Sequence, residues 1–445
     1  MSPISTVLTR VAFPPLYYLL LNVWVAVFGD AWWTLRAFSA VAGGLAVFAF
    51  GRLVLALFDR RGLMLVAATA FALMPQAIAF SRHVRMYSLW MLCLLVAAWG
   101  AVAAARAARP AARDLCRYWL GVAAAAATHH YTMFYVAAVV LGTYLLTGKA
   151  ALRKDPADWR RLALLHGPLV VLAVLMVGAA AFLAGLGIAG LIEKIQRDLY
   201  TVAPFQPLED LARLVFLRAW AYGQGFPARE TLLAVSVLGT VALALAARSG
   251  RRQVAFLLLV GVVCPVVVLA LPTRSYARLL SPAVPHLVAL IAFGAWLLWQ
   301  RPWARLLLVP FAGAWFWLVT PAIQGVYRFE SEPWKTICAT VDTAEPATGI
   351  MLNEPYMRGP FEVCYDGPHP LLTFPRHRQP VDPERLRAFV RDKDVVWVIY
   401  ARATRSDRQR QGLRLVVAEG FRLVNSRRYG SVIQLHRLVR VPTAE

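Results

Sequence analysis

The sequence predicts an α-helical polytopic membrane protein that ends in a small α/β domain. Three observations predict it. First, 59% of the 445 residues are hydrophobic and only 16% are charged, whereas a soluble domain is about half apolar and a quarter charged. Second, apolar runs long enough to cross roughly 30 Å of hydrocarbon recur along the first three quarters of the chain. Third, the residues from about 323 onward carry many more charges, prolines and short alternating runs. The mean hydropathy of +0.56 agrees with the first two.

The spans are expected near 34–57, 62–80, 86–105, 118–132, 133–148, 163–185, 230–247, 254–271, 279–299 and 303–322. Segment 14–29 is too short for a comfortable span. It lies at the interface or crosses with local thinning, which makes ten or eleven crossings. Arginine and lysine set the orientation. Arg60 and Arg61, then Arg106, Arg109, Arg113 and Arg117, then Lys149, Arg153, Lys154, Arg160 and Arg161, then Arg248, Arg251 and Arg252, then Arg301 and Arg305 fall in alternate loops. These loops are placed in the cytoplasm. The other face then holds "SRHVRMY", "THHYTM", the loop 186–229, "TRSYARLLSP" and everything after about 323. Ten spans ending outside must also begin outside. Either 14–29 is a first crossing, or a helix precedes this chain. No A-x-A-like cleavage site follows the first apolar run, so no cleavable signal peptide is expected.

The chain therefore divides into a transmembrane domain, 1–322, and an extracytoplasmic α/β domain, 323–445. In the latter, "VVWVIY" (395–400) reads as a buried strand, "RSDRQRQGLRLVVAEG" as a helix closing at Gly420, and "FRLVNSRRY" and "SVIQLHRLVRV" as two further strands. Cys338 and Cys364 both fall in this domain, where an oxidising compartment permits a disulfide, although spacing alone does not establish one. Cys93, Cys116 and Cys264 read as apolar filler.

The net charge of +23 is accounted for by loop arginine, and no nucleic-acid motif accompanies it. The five cysteines show no CxxC pattern, which excludes an ordinary zinc module. On the outer face the topology gathers Arg82, His83, Arg85, Tyr87, His129, His130, Tyr131, Arg274, Tyr276 and Arg278. Each has an ordinary reading as a snorkelling cation or interface aromatic. Together they suit an anionic ligand, because guanidinium groups pair with phosphate in a forked geometry. A lipid-linked phosphate entering from the bilayer is the natural candidate. His129 and His130 point about 100° apart on a helix, which disfavours both on one metal ion. A divalent metal stays open as a cofactor. In the loop 186–229, "PLEDLARLVFLRAW" reads as an amphipathic surface helix. Glu193 and Asp198 there are read as a solvated face ahead of a catalytic base.

Four blocks carry a resemblance. "PPLYYLLLNVWVAVFG" with "WWTLRAFSAVAGGLAVFAFGRLV", then "FALMPQAIAFSRHVRMYSLWML", then "SYARLLSPAVPHLVAL", and last "VVWVIYARA" through "SVIQLHRLVRV" resemble the dolichyl-phosphate-mannose–protein mannosyltransferase-like glycosyltransferases. This is the bacterial branch with the GT-C fold, which includes aminoarabinose transferases and Rgt-type lipopolysaccharide sugar transferases. The resemblance implies transfer of a sugar from a polyprenyl-phosphate donor to a glycan, lipid or protein acceptor on the outer face of the bacterial plasma membrane. It implies Arg85, Arg82, Arg278 and Arg274 at the donor phosphate. It implies His83, Tyr87, His129, His130, Tyr17, Pro14 and Pro15 in the substrate pocket.

Four departures stand out. The family's catalytic acid follows a first helix that would precede "PPLYY", and no Asp or Glu occurs before Asp30. Phe13 stands where the family has His before Pro-Pro, and His83 stands where it has Glu. Arg278 is kept, but Leu279 replaces the usual Tyr. No catalytic residue is therefore assigned. Three functions stay open: a transferase, a non-catalytic relative that binds lipid-linked sugar or a partner, and a lipid or glycan transporter. The partners expected are the polyprenyl-phosphate sugar, membrane lipids and the acceptor, with no nucleic acid.

Overall fold

The computed structural model describes residues 15–107, 109–129, 131–147, 166–167, 250–270, 281–328, 334–342, 347–353, 357–362, 364–365, 367–373, 382–401, 411–429 and 433–441. The chain divides into two compact units, Met1–Val326 and Tyr327–Glu445. The first is helical and the second is built on a five-stranded sheet.

The helical unit contains α1 (Leu16–Phe28), α2 (Trp32–Phe58), α3 (Arg61–Ala72), α4 (Pro75–Arg82), α5 (Tyr87–Arg106), α6 (Ala112–Ala126) and α7 (Thr132–Thr147). After a long interval come α8 (Arg251–Leu258), a π-helical turn (Leu259–Val263), α9 (Cys264–Ala270), α10 (Ala283–Trp299) and α11 (Pro302–Arg328). Among the described residues, α2 and α5 are long and apolar enough to cross a membrane, and α3 with α4 makes a third if the bent pair is one span. Spans 163–185 and 230–247 and the loop 186–229 lie outside the described residues, apart from His166 and Gly167.

Three expectations are corrected. The span expected at 62–80 is two helices meeting at 58°. Pro75 causes the break: it disfavours the α conformation at Met74 and itself suits the first turn of a new helix, and Met74 is extended at ψ 126°. The span expected at 118–132 begins earlier, at Ala112, and stops at Ala126, so Arg113 and Arg117 lie on the helix. There Arg117 donates to Asp114 at 2.6 Å and stands over the Trp99 ring at 4.2 Å. Cys116 is exposed, unlike the buried Cys93 and Cys264, so it is no core filler.

Helices α5 and α6 approach through small residues, as membrane helices do when no hydrophobic force drives them together. A Cβ on Gly121 would stand 2.6 Å from the Ala97 backbone nitrogen. The unit has two distinguishable ends. At one, Phe58 stacks on Phe293 at 4.5 Å, Arg106 donates to the carbonyls of Ala56 and Leu57, and Gly62 lies against Trp296. Arg60, Arg61, Arg106, Arg251, Arg252, Arg301 and Arg305 fall at this end. The opposite end carries the α4–α5 and α6–α7 corners.

Helix α1 is not a crossing. Its first backbone N–H, from Leu16, donates to Ala127 at the α6–α7 corner at 2.9 Å. Its far half turns back onto the start of α2, where the Trp24 indole donates to the Thr34 carbonyl at 3.0 Å. Both ends of α1 thus sit at the corner end. Its thirteen residues span about 20 Å, short of the roughly 30 Å a crossing needs.

The second unit contains α12 (Trp334–Asp342), β1 (Thr348–Leu352), α13 (Arg358–Glu362), β2 (Leu371–Thr373), α14 (Pro383–Val390), β3 (Val395–Ala401), α15 (Gln411–Ala418), β4 (Phe421–Tyr429) and β5 (Ile433–Arg440). The strand order is β2-β1-β3-β5-β4. Strand β1 pairs in parallel with β2 and β3, and β5 pairs antiparallel with β3 and β4. Strand alternation sends Ile399, Ile433 and Leu435 to one face, against α12 and α13. It sends Val396, Val398 and Leu438 to the other, against α14 and α15. Asp382 caps α14 by accepting from the Glu384 and Arg385 N–H groups. Gly420, at φ +87°, turns α15 into β4 in the left-handed region that glycine enters freely. Cys338 and Cys364 form a disulfide that ties α12 to the turn after α13.

Candidate functional site

The corner end of the helical unit brings together four stretches that the sequence keeps apart. "SRHVRMY" forms it at the α4–α5 junction. Helix α4 ends at Arg82, His83 is extended, and the chain bends through Val84–Met86 into α5 at Tyr87. The Arg85 N–H donates to the His83 carbonyl at 2.7 Å, which tightens the bend. Ser81 donates to the Ala77 carbonyl at 2.7 Å and stands against Gly43 of α2, a contact that a larger residue at 43 would block.

The α6–α7 corner supplies His129. Its ring stacks on the Trp90 indole at 4.3 Å and lies 6.2 Å from the Tyr87 ring. The Tyr131 N–H donates to His129 Nδ1 at 3.2 Å, so Nδ1 carries the lone pair and any ring proton sits on Nε2. Trp90 is held in turn by donating to Thr132 Oγ1 at 2.8 Å, and Thr132 donates to the Ala125 carbonyl. His129 is 1% exposed. Its ring packs between Trp90 and Tyr87.

Helix α1 supplies Pro15 and Tyr17. Pro15 precedes the first turn, and its carbonyl accepts from Leu19. Tyr17 is buried, and its hydroxyl bonds Ser39 of α2 at 3.1 Å. The Arg85 guanidinium acts electrostatically on that hydroxyl. Arg85 is exposed, Arg82 and His83 are half-buried, and Tyr87 is buried. Among the described residues Arg85 has no ion-pair partner.

Of the residues expected at the site, the structure gathers Arg85, Tyr17 and Pro15 with Tyr87 and His129, and sets Arg82 and His83 on the same junction. Pro14, His130, Arg274 and Arg278 lie outside the described residues. Sequence reasoning missed Ser39, Trp90 and Thr132. Trp90 stands three residues after Tyr87, on the same helical face, which was the available signal. It also missed His286, buried on α10, whose Nδ1 bonds the Pro282 carbonyl at 2.9 Å and whose Cβ would stand 3.0 Å from a Cβ added to Gly261 of the π turn.

The described carboxylates of the helical unit are Asp30, Asp59 and Asp114. The last two lie at the basic end. Asp30 is exposed in the α1–α2 turn, at the far end of α1 from Tyr17, about 20 Å of helix away. No described group of three His, Cys, Asp or Glu side chains is placed to hold a metal ion.

The chain is similar to the structure of ArnT from Cupriavidus metallidurans bound to undecaprenyl phosphate. The likeness covers 95% of this chain and 87% of that one, at TM-score 0.53 and 15% identity. The chain has the GT-C fold. The oligosaccharyltransferase of Archaeoglobus fulgidus, in complex with Zn and sulfate, gives TM-score 0.50 at 12% identity. That likeness takes in 87% of this chain and 59% of the archaeal one. No family model and no curated protein sequence matches the chain. The GT-C likeness embraces both the helical unit and the sheet unit, since 95% of the chain is aligned.

Proposed function

We propose that this chain is an integral-membrane glycosyltransferase that moves a sugar from a polyprenyl-phosphate donor to a glycan, lipid or protein acceptor. The observation that carries the reading is Arg85. It is an exposed guanidinium without a described acidic partner, whose charge acts on Tyr17, at the end of a GT-C bundle whose structural neighbour holds undecaprenyl phosphate. In the reaction the acceptor hydroxyl attacks the anomeric carbon and its proton passes to water, the bond from that carbon to the phosphate oxygen breaks, and the lipid phosphate leaves as an anion. Arg85, with Arg82, Arg274 and Arg278, neutralises the charge that develops on the leaving phosphate. Donors fixed before the reaction stabilise such charge most effectively. Tyr17, Tyr87 and His129 shape the pocket wall, with His83, His130, Pro14 and Pro15 lining it.

The corner end and the sheet unit face the extracytoplasmic side of a bacterial plasma membrane. The separation of the basic end from the corner end supports this orientation, and the Cys338–Cys364 disulfide supports an oxidising side for the second unit. A second reading has its own observation. The one described carboxylate at the corner end is Asp30, remote from Arg85, so a chain that binds lipid-linked sugar without transferring it fits the same geometry. Membranes containing the chain, given radiolabelled polyprenyl-phosphate sugar and candidate acceptors, separate the two. Donor turnover, including slow hydrolysis, establishes the transferase. Donor binding without turnover establishes the non-catalytic relative.

A further inference from the structure

Helix α2 carries an arginine where an apolar stripe would otherwise continue. Leu45 and Phe48 are exposed on α2. Arg52 follows Phe48 by one helical turn on the same face and is exposed as well. A charge on the flank of a membrane span is costly and calls for an opposite charge. Helix α2 contains no acidic residue, and among the described residues Arg52 has no ion-pair partner. Its described contact is aromatic: the guanidinium carbon stands 5.2 Å from the centre of the Trp99 ring of α5.

The same ring holds a second cation, since the Arg117 guanidinium of α6 stands over it at 4.2 Å. Arg117 also donates to Asp114, and Arg113 lies 4.0 Å from that carboxylate. The cluster therefore sets three guanidinium groups against one carboxylate. The Asp114 side chain is 11% exposed and that of Arg113 is 77% exposed, so the excess charge faces outward. Arg52 and Trp99 each lie nearly two turns before the ends of their helices, Phe58 and Arg106, about 10 Å inside the basic end. The 27 residues of α2 span about 40 Å, against a hydrocarbon core of roughly 30 Å. The cluster thus sits within a snorkelling side chain's reach of the headgroup boundary. Away from the basic end the surface turns apolar. Phe48 meets Trp99 edge-on at 6.3 Å, Val96 lies one turn from Trp99 on α5, and Leu120 is exposed on α6. Helix α5 packs against both α2 and α6, so these residues form one strip.

We propose that Arg52, Arg113 and Arg117, gathered about Trp99, bind the phosphate of an anionic phospholipid whose acyl chains lie along the strip below. Guanidinium groups take phosphate in forked pairs, and basic pockets between spans are known receivers of anionic headgroups. The charge left after Asp114 is matched repels the ammonium of a zwitterionic lipid. A free phosphate would need only the arginines; the apolar strip that begins at Phe48 favours a lipid. Arg305 offers a contrast at the same end. It stands over Trp299 at 5.4 Å, but its Nε already donates to the Trp299 carbonyl and no second described cation shares that ring. The inference needs a membrane-embedded chain and is independent of sugar transfer.

The test uses the full chain purified in a neutral maltoside detergent, with no sugar donor present. Dioleoyl phosphatidylglycerol, dioleoyl phosphatidylcholine and glycerol 1-phosphate are titrated in turn, and bound molecules are counted by native mass spectrometry. The variants are Arg52→Gln, Arg52→Lys and, as the contrast, Arg305→Gln, with thermal melting to confirm that each is folded. We expect phosphatidylglycerol to be held more tightly than phosphatidylcholine. Arg52→Gln should raise its apparent Kd about fivefold or more, the worth of one cation at a headgroup. Arg52→Lys should lose less, and Arg305→Gln should match the native chain. Equal retention of the two lipids would overturn the proposal, as would an unchanged Kd in Arg52→Gln. An equal loss in Arg305→Gln would overturn it in favour of diffuse charge at the basic end. Glycerol 1-phosphate bound as tightly as phosphatidylglycerol would overturn the lipid assignment and leave a free-phosphate site.

Discussion

Arg85 is the residue on which the proposed chemistry turns. Its neighbours hold it in place: the bend from Arg82 to Met86 is fixed by the Ser81 bond to Ala77 and by the Arg85–His83 backbone bond. The side chain itself is exposed. Arg85→Ala should lower transfer by about 100-fold or more, the usual cost of removing one donor aimed at developing charge, with abundance and melting temperature unchanged. Arg85→Lys should recover part of the rate, since it keeps the charge and loses the fork. Steady-state rates in membranes with matched protein amounts check both. The grouping of Arg85 with Tyr87 and His129 was legible in the sequence, because loop charge alone sorts the corners to one end. The partners Ser39 and Thr132 were not, because a single hydroxyl on an apolar helix carries no signal of what it faces.

At the scale of elements, the helical pairs rest on close backbone approach. Gly121 of α6 leaves no room for a Cβ against Ala97 of α5. Gly121→Leu must push these helices apart, at a cost of about 3 kcal/mol for overpacking. We expect little monodisperse protein after detergent extraction, where Ala124→Leu, on a half-buried site of the same helix, should extract normally. The sequence showed most of the apolar helices within a few residues of their observed bounds. It concealed the α3–α4 break, because the apolar run continues across Met74 and Pro75 and outweighs one proline. It concealed the π turn, whose residues Leu259–Val263 look like any apolar stretch. Among the strands, β3, β4 and β5 were readable from alternation and length. The three-residue β2 and the fully buried β1 were too short and too uniform to separate from their surroundings.

For the whole molecule, the separation of charge along the helical unit and the disulfide in the sheet unit belong to one proposed topology. Protease added outside spheroplasts should remove the sheet unit and leave the basic end protected; cleavage only after lysis would reverse the orientation. The GT-C fold was readable from four blocks spread over the chain. The catalytic acid was not readable. No carboxylate precedes Asp30 in the sequence, and the structure places Asp30 at the remote end of α1.

The central claim is that the corner end recognises a lipid-linked phosphate through Arg85. The most direct test is the affinity of the purified chain for undecaprenyl phosphate and for undecaprenol, measured on the native protein and on Arg85→Ala. The account predicts that the native chain prefers the phosphate and that the variant binds both lipids alike. Equal affinity of the native chain for the two lipids, or a phosphate preference that survives in Arg85→Ala, would contradict it.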